Sequence, residues 1–301
     1  MTFRIEKIDS FTGHRDCVYT LSKAQKENVF YSAAGDGMVV EWNADTPDLG
    51  RPIVQARNSI YTLLFDDEKN ELWVANNFEG IHLIDPADKK ELKSLKIGKT
   101  TFFDLKSHGG ALFLGDKEGV IHVIDKETLS FKKHLKASDR SVRTLAVNRS
   151  RNELAAGYSD HKIRIFDLDT YELKYTLSGH NNSVFTLAYS QDEKILISGS
   201  RDAHLKSWYA ETDYDEVNDV AAHLFTINDM VMLGDTDLFA TCSMDKSIKI
   251  WDTYSLRLLK VIDRARHPGH GTSINKLLWL KDSKKLLAAS DDRTISMWNI
   301  F

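Results

Sequence analysis

The stretch "SGHNNSVFTLAYSQDEKILISGSRD" (178–202) holds a His, a Ser 18 residues on, and an Asp four residues after that. His180, Ser198 and Asp202 are the residue types of a hydrolase triad, in which an acid orients a base that activates a hydroxyl. The same spacing could instead belong to the architecture. One question separates the two readings: whether the spacing occurs once.

It recurs. His14, Ser32, Asp36 and Trp42 are separated by 18, 4 and 6 residues; so are His180, Ser198, Asp202 and Trp208, and again His223, Thr241, Asp245 and Trp251. His270, Asp292 and Trp298 keep the frame, with Ala288 where the hydroxyl would stand. A catalytic site does not occur three times in one chain at one spacing, whereas a structural brace does. An Asp in a turn accepts from His, the His bonds the hydroxyl, and the hydroxyl meets the indole N–H. Each such group costs about 1–3 kcal/mol if buried unpaired, so a closed chain of them locks a loop in place.

The Asp-to-aromatic phrase extends the repeat along the chain. It reads "DGMVVEWN" (36–43), "DHKIRIFD" (160–167), "DAHLKSWY" (202–209), "DKSIKIWD" (245–252) and "DRTISMWN" (292–299), with looser copies "EGIHLID" (79–85) and "EGVIHVID" (118–125). The reference residues Trp42, Ile84, Ile124, Phe166, Trp208, Trp251 and Trp298 lie 40–47 residues apart. About 24 residues before each stands a second phrase: "VYTL", "IYTL", "FFDL", "VRTL", "VFTL", "INDM" or "INKL". Short apolar runs alternate with polar turns and show almost no helical period, so each unit reads as four strands. Seven units fill residues 1–301 as a single domain.

A four-stranded repeat of this length resembles the WD40-repeat family, here over essentially the whole chain. Gly13-His14, Gly179-His180, Gly269-His270 and Trp251-Asp252 carry the likeness, with Ala222-His223 a near match. The resemblance implies an all-β, seven-bladed WD40 β-propeller with four-stranded antiparallel blades. The last copy stops after its third strand at "TISMWNIF" (294–301), while "RIEKIDSF" (4–11) precedes Gly13-His14 as a spare strand. The N-terminal strand is therefore expected to complete the C-terminal blade, which removes two open sheet edges. Blades two to four lack the Gly-His dipeptide, and only Asp160 survives there. They are expected to rely on apolar packing, with His82 and His122 as solvated strand positions rather than metal ligands.

Function on a propeller belongs to loops and strand starts. In the resembled family the top-face residue of each first strand is the second member of the phrase above, giving Tyr19, Tyr61, Phe103, Arg143, Phe185, Asn228 and Asn275. Two residues earlier stand Cys17, Ser59, Thr101, Ser141, Ser183, Thr226 and Ser273. Before the turn acids stand Gly35, Phe78, Lys117, Ser159, Arg201, Met244 and Asp291. Four aromatics and an arginine in one ring resemble binding hot spots. The ring, with Arg201 and Met244, is the expected partner-binding surface. The loop "DRARHPGHG" (263–271) is expected to add Arg264, Arg266 and His267 to this face, and the acidic "ETDYDEVND" (211–219) to emerge on the opposite one. That asymmetry points to a protein or peptide partner bearing acidic or phosphorylated groups.

Composition narrows the classes further. Lys plus Arg number 40 and Asp plus Glu 44, a net charge of −4 that argues against a nucleic-acid surface. Two cysteines without CxxC spacing suit a reducing compartment. No apolar leader or spanning run is visible, so no membrane association is expected and the cytoplasm is the expected address. No phosphate loop, zinc cluster or GxSxG elbow is present. The leading expectation is a non-catalytic interaction scaffold without cofactors, monomeric by itself. The alternative is an enzyme or metal-binding propeller with a central-channel site, where Asp104, Asp229, Asn228 and Asn275 could offer oxygen ligands. Strand alternation should aim Asp104 and Asp229 away from that ring. A third reading is a nucleic-acid or phosphoinositide surface on Arg143, Arg201 and Arg264.

Overall fold

The computed structural model describes residues 4–47, 50–66 and 69–300; residues 1–3 and 301 of the expected 1–301 unit lie outside the described residues. The chain forms seven four-stranded antiparallel sheets. Blade one comprises Val18–Lys23, Val29–Ala34, Met38–Asn43 and Arg51–Gln55; blade two Ile60–Asp66, Glu71–Asn76, Gly80–Asp85 and Lys90–Lys96. Blade three follows with Phe102–His108, Ala111–Asp116, Val120–Asp125 and Phe131–Lys136, and blade four with Val142–Asn148, Glu153–Tyr158, Ile163–Asp167 and Leu173–Leu177. Blade five contains Val184–Tyr189, Ile195–Ser200, His204–Tyr209 and Asp215–Ala221, and blade six Ile227–Met232, Leu238–Ser243, Ile248–Asp252 and Leu258–Ile262. Blade seven takes Ile274–Leu280, Lys285–Ser290 and Ile295–Ile300 from the C-terminal end and Ile5–Phe11 from the N-terminal end.

The core is a set of seven wedges. Each apolar cluster is shared by two adjacent blades, as where Ala33 and Val39 of blade one meet Ile60 and Val74 of blade two. Successive strand residues point to opposite faces, so a blade flanked on both sides must be apolar on both faces. That is why second strands such as "ELAAGY" and "ILISGS" are buried at every position. Outermost strands face solvent on one side and read accordingly: "KELKSLK" and "FKKHLK" are mostly exposed and rich in lysine, a pattern that discourages edge pairing.

The ring closes by strand exchange between the ends of the chain. Ile5 pairs with Ile300 and Phe11 with Ile295. Phe11 is 1% exposed, its ring 5.0 Å from Phe30 and 5.6 Å from Trp42, so the closing strand also fills the wedge between blades seven and one. On the inner side Asn275 Nδ2 donates to the Val18 carbonyl at 3.0 Å across the same seam.

The acidic stretch 211–219 differs from expectation. A 3₁₀ turn at Ala210–Thr212 leads into Asp215–Ala221, the outer strand of blade five, rather than into a free loop on one face. Glu216 and Asp219 sit 2.9 and 2.8 Å from Lys206 Nζ, and Asp219 is 2.6 Å from His204, so the charge is spent on the neighbouring strand.

Candidate functional site

Every blade carries an irregularity at the same place. In each inner strand the pairing with the second strand skips one residue: Val18 faces Ala34 and Thr20 faces Ala33, leaving Tyr19 unpaired. The same skip falls at Tyr61, Phe103, Arg143, Phe185, Asn228 and Asn275. A bulge of this kind breaks alternation and re-aims the extra side chain. The residue before each bulge is buried, and the bulged residue itself is half-buried. All seven line one cavity of about 350 Å³ at the mouth of the central channel.

The side chains around this mouth form an aromatic arc. Tyr19 and Tyr61 meet edge to face with centroids 4.7 Å apart, and Tyr61 stacks on Phe103 at 6.1 Å. The Arg143 guanidinium carbon lies 3.9 Å from the Phe103 centroid and 4.3 Å from that of Phe185. Burial lowers the Arg143 pKa to about 10, which leaves it charged at neutral pH. Asn228 donates to Ser273 Oγ at 3.0 Å and to the Ile274 carbonyl at 2.8 Å, so the two asparagines complete the arc as fixed polar groups.

The bulge also overturns the expectation for Asp104 and Asp229. Both line the cavity floor, together with Thr144 and Lys276, instead of pointing away. Asp104 Oδ2 accepts the Leu145 amide of the next blade at 2.8 Å. Asp229 accepts the Leu277 amide at 2.9 Å and stands 3.0 Å from Lys276 Nζ. Burial disfavours the Lys276 charge, but Asp229 and Asp104 outweigh it and raise its pKa to about 12. Asp229 is thus held by an ammonium and an amide from the neighbouring blade, a latch between blades six and seven. Among the described residues no group of three or more His, Cys, Asp or Glu gathers as a metal site.

The repeated His, hydroxyl and acid are brought together as the spacing requires. Asp202 can only accept, so His180 donates from Nδ1 at 3.0 Å and accepts the Ser198 hydroxyl at Nε2 at 2.8 Å. Ser198 Oγ in turn accepts the Trp208 indole N–H at 2.9 Å. His14, Ser32, Asp36 and Trp42 make the same set, with the His–Ser and Trp–Ser bonds both 2.7 Å. His223, Thr241, Asp245 and Trp251 do so with all three at 2.8 Å. Each hydroxyl is fully buried, out of reach of a substrate. Burial opposes ionisation of Asp202, yet His180 and the Asn181 and His204 amides hold its carboxyl well below the usual range.

Blades three, four and seven solve the same problem differently. In blade seven Ser296 supplies the missing hydroxyl, 2.8 Å from His270 Nε2 and 2.7 Å from Trp298 Nε1. In blade four Arg164 takes the place of the His and pairs with Asp160 through both terminal nitrogens, at 3.0 and 2.7 Å. In blade three His122 is buried rather than solvated: its Nε2 lies 3.0 Å from Asp116 and its Nδ1 3.0 Å from His134. His82 in blade two is half-buried, 2.8 Å from Glu91. The irregular blades therefore have polar braces of their own.

The second-to-third-strand turns surround the ring. The amides of Gly35, Lys117, Ser159, Arg201, Met244 and Asp291 each bond the carbonyl of the residue two before the bulge, at 2.9–3.0 Å. In blade two the corresponding donor is Asn77, at 3.5 Å, and Phe78 follows it in the turn with φ 66°. Met244 is 55% exposed, beside a pair the sequence reading did not single out, Leu224 at 82% and Phe225 at 57%. Leu224 N bonds Asp245 at 3.1 Å and Ser243 Oγ bonds the Phe225 carbonyl at 3.3 Å, which sets the three apolar side chains on one rim. The signal was present: blades one and five carry Arg15-Asp16 and Asn181-Asn182 at these places. The 263–271 loop adds less positive charge than expected, since Arg266 is paired with Asp263 and His267 packs edge-on against Trp298 at 6.1 Å.

Seven four-stranded blades around a channel, braced by His–Asp pairs, define a β-propeller. The model of the WD domain, G-beta repeat, matches residues 5–43, 126–167, 171–209, 215–252 and 263–299, so the chain belongs to the WD40-repeat family. The unmatched span 44–125 holds all of blade two and the first three strands of blade three. The chain is 29% identical over 112 residues to nuclear distribution protein PAC1 of Arthroderma benhamiae, covering 34% of this chain and 23% of that protein. It is 30% identical over 102 residues to nuclear distribution protein nudF of Aspergillus niger, covering 34% and 22%. The matches thus span less than a quarter of the length of these curated relatives. The WD40 β-propeller domain of Doa1 superimposes with a TM-score of 0.87 at 20% identity, over 99% of this chain and 97% of that one, a likeness of fold. No helix among the described residues is long and apolar enough to cross a membrane.

Proposed function

We propose that residues 1–301 act as one rigid, non-catalytic, cytoplasmic interaction module, monomeric by itself, that binds a partner protein or peptide on the face bearing the bulged ring. The observation that carries this reading is the bulge itself. In all seven blades it lifts one side chain out of the pairing and into the channel mouth, and five of those seven are Tyr, Phe or Arg. Large aromatics that are half-exposed in a concave, wet site are the residues that dominate binding energies. The rim of Leu224, Phe225 and Met244 extends the apolar surface outward, and Arg201 stands exposed beside it. A general role as protein-binding scaffold fits the family.

Affinity capture with the wild type and with the Tyr61→Ala/Phe103→Ala/Phe185→Ala variant tests this assignment. The expected result is that specific partners retained by the wild type are absent from the variant, while the melting temperatures stay close. The same proteins retained by both would show that the ring is not the binding surface.

A further inference from the structure

We infer that Arg143 is the receptor for a carboxylate, supplied by an Asp or Glu side chain of an extended partner segment entering the channel mouth. This rests on the interaction reading above and adds the chemical group that is recognised.

The argument begins with how the other sheltered arginines are treated. Among the described residues four arginines are not exposed. Arg51 pairs with Glu41 at 2.9 Å, Arg151 with Glu153 at 3.1 Å, and Arg164 with Asp160 at 2.7 Å. Arg143 alone has no carboxylate within ion-pair distance, and its Nε is buried without a hydrogen-bond partner. Besides burial, the groups that act on it are the Tyr61 phenol, which favours its charge only once ionised, and another cation, Arg201, which opposes it. A sheltered charge without a counter-charge is costly, and proteins elsewhere pair it. Here no described residue supplies the pairing group, at a cavity open to partners.

The shape of the slot selects the anion. Phe103 and Phe185 cover the guanidinium at 3.9 and 4.3 Å, so the edge of the fork is what remains to be approached. A planar carboxylate approaching that edge can lie in the guanidinium plane and accept two parallel N–H bonds. A tetrahedral phosphate would project oxygens out of that plane, toward the rings. The floor carries Asp104 and Asp229, each paired with a lysine, Lys106 at 3.3 Å and Lys276 at 3.0 Å, so neither supplies Arg143 with a counter-charge. The aromatic arc of Tyr19 and Tyr61 then receives the apolar stem of the acidic side chain.

The test uses the full chain and three degenerate nonapeptide mixtures, random at the flanks and fixed at the centre as Glu, Gln or phosphoserine, read by fluorescence polarisation. The Glu mixture is expected to bind about tenfold or more tighter than the Gln mixture, the scale of a charge-assisted bidentate pair, and tighter than the phosphoserine mixture. Arg143→Gln should abolish the preference. Arg143→Lys, which keeps the charge and loses the fork, should lose most of it, with both variants melting near the wild type. Equal binding of Glu and Gln, stronger binding of phosphoserine, or a preference that survives Arg143→Gln overturns the carboxylate assignment and leaves the interaction module standing. Absence of binding by every mixture overturns the extended acidic segment as the occupant of the channel mouth, while the interaction module stands or falls on the affinity capture above.

Discussion

Ser296 Oγ accepts the indole N–H of Trp298, two residues away in the same strand, at 2.7 Å. In blades one, five and six the equivalent hydroxyl comes from the neighbouring strand, as Ser198 does for Trp208. The brace is therefore defined by its chemistry and not by one sequence position. It also predicts comparable costs. Ser198→Ala orphans both His180 Nε2 and the Trp208 indole. Ser296→Ala orphans the Trp298 indole and also His270 Nε2, whose other neighbour, the Ala288 carbonyl at 3.0 Å, is itself an acceptor. At about 1–3 kcal/mol per orphaned group, the two substitutions should cost similar amounts of stability in urea unfolding. A Ser296→Ala variant as stable as the wild type would contradict the assigned partners.

Closure by the N-terminal strand makes a second prediction. Phe11→Ala removes a fully buried ring from the seam and should cost about 3–5 kcal/mol. Removing residues 1–11 also exposes the edge of Ile295–Ile300, so the truncated chain should melt far lower and self-associate on size-exclusion chromatography. A truncated chain that melts like the wild type would rule out closure.

The inner latch can be tested by a mutant cycle. Asp229→Ala leaves Lys276 and the Leu277 amide unpaired at the channel floor. The loss should approach the roughly 3–5 kcal/mol seen when one member of a buried pair is removed. Lys276→Met added to it should recover part of that loss. Simple additivity of the two substitutions would show that the pair is not coupled.

Acidification should weaken the fold in two steps. Burial lowers the pKa of His14 and His223 below the ordinary 6.5, against the opposing pull of Asp36 and Asp245. The unfolded chain then binds these protons more readily, so stability is present above pH 6.5 and falls as the pH drops below it. The acids act in the same direction at lower pH. Burial opposes ionisation of Asp202, Asp245 and Asp292, yet their His partners and local hydrogen bonds depress all three, Asp292 to about 2 from 3.8. Their contribution is complete above 3.8 and is lost as pH falls through the folded values. Urea midpoints should decline from pH 7.5 to 5.5 and more steeply below 4, with the first decline smaller in His223→Gln. A midpoint that rises on acidification to 5.5 would refute this.

The sequence made the scaffold legible because its signals are periodic: the 18-4-6 spacing, the phrase before each inner strand, and an unpaired N-terminal strand left over by the count. All seven ring positions could be named from that register once the resemblance to the WD40 family said which member of the phrase faces the top. What stayed hidden was conformational. Alternation placed Asp104 and Asp229 away from the channel, and only the bulge, which has no residue signature of its own, brings them to its floor. Substituted chemistry was equally opaque. Arg164 standing in for His, Asp116 reaching His122 from the end of the second strand, and Ser296 serving Trp298 all depend on which strand faces which. The charge of the stretches 211–219 and 263–271 misled for a similar reason, since Glu216 and Asp219 pair with Lys206 on the adjacent strand and Arg266 with Asp263 in its own loop.

The most direct test of the account is where a partner touches the disc. A photo-crosslinking amino acid placed at Arg201 or Leu224 lies on the face bearing the ring. One placed at Asp169 lies in the turn between the third and fourth strands of blade four, at the opposite end of the blade. The account predicts partner adducts from the first two positions, lost in the Tyr61→Ala/Phe103→Ala/Phe185→Ala variant, and none from Asp169. Adducts from Asp169 alone, or adducts at Leu224 that survive the triple substitution, would contradict it.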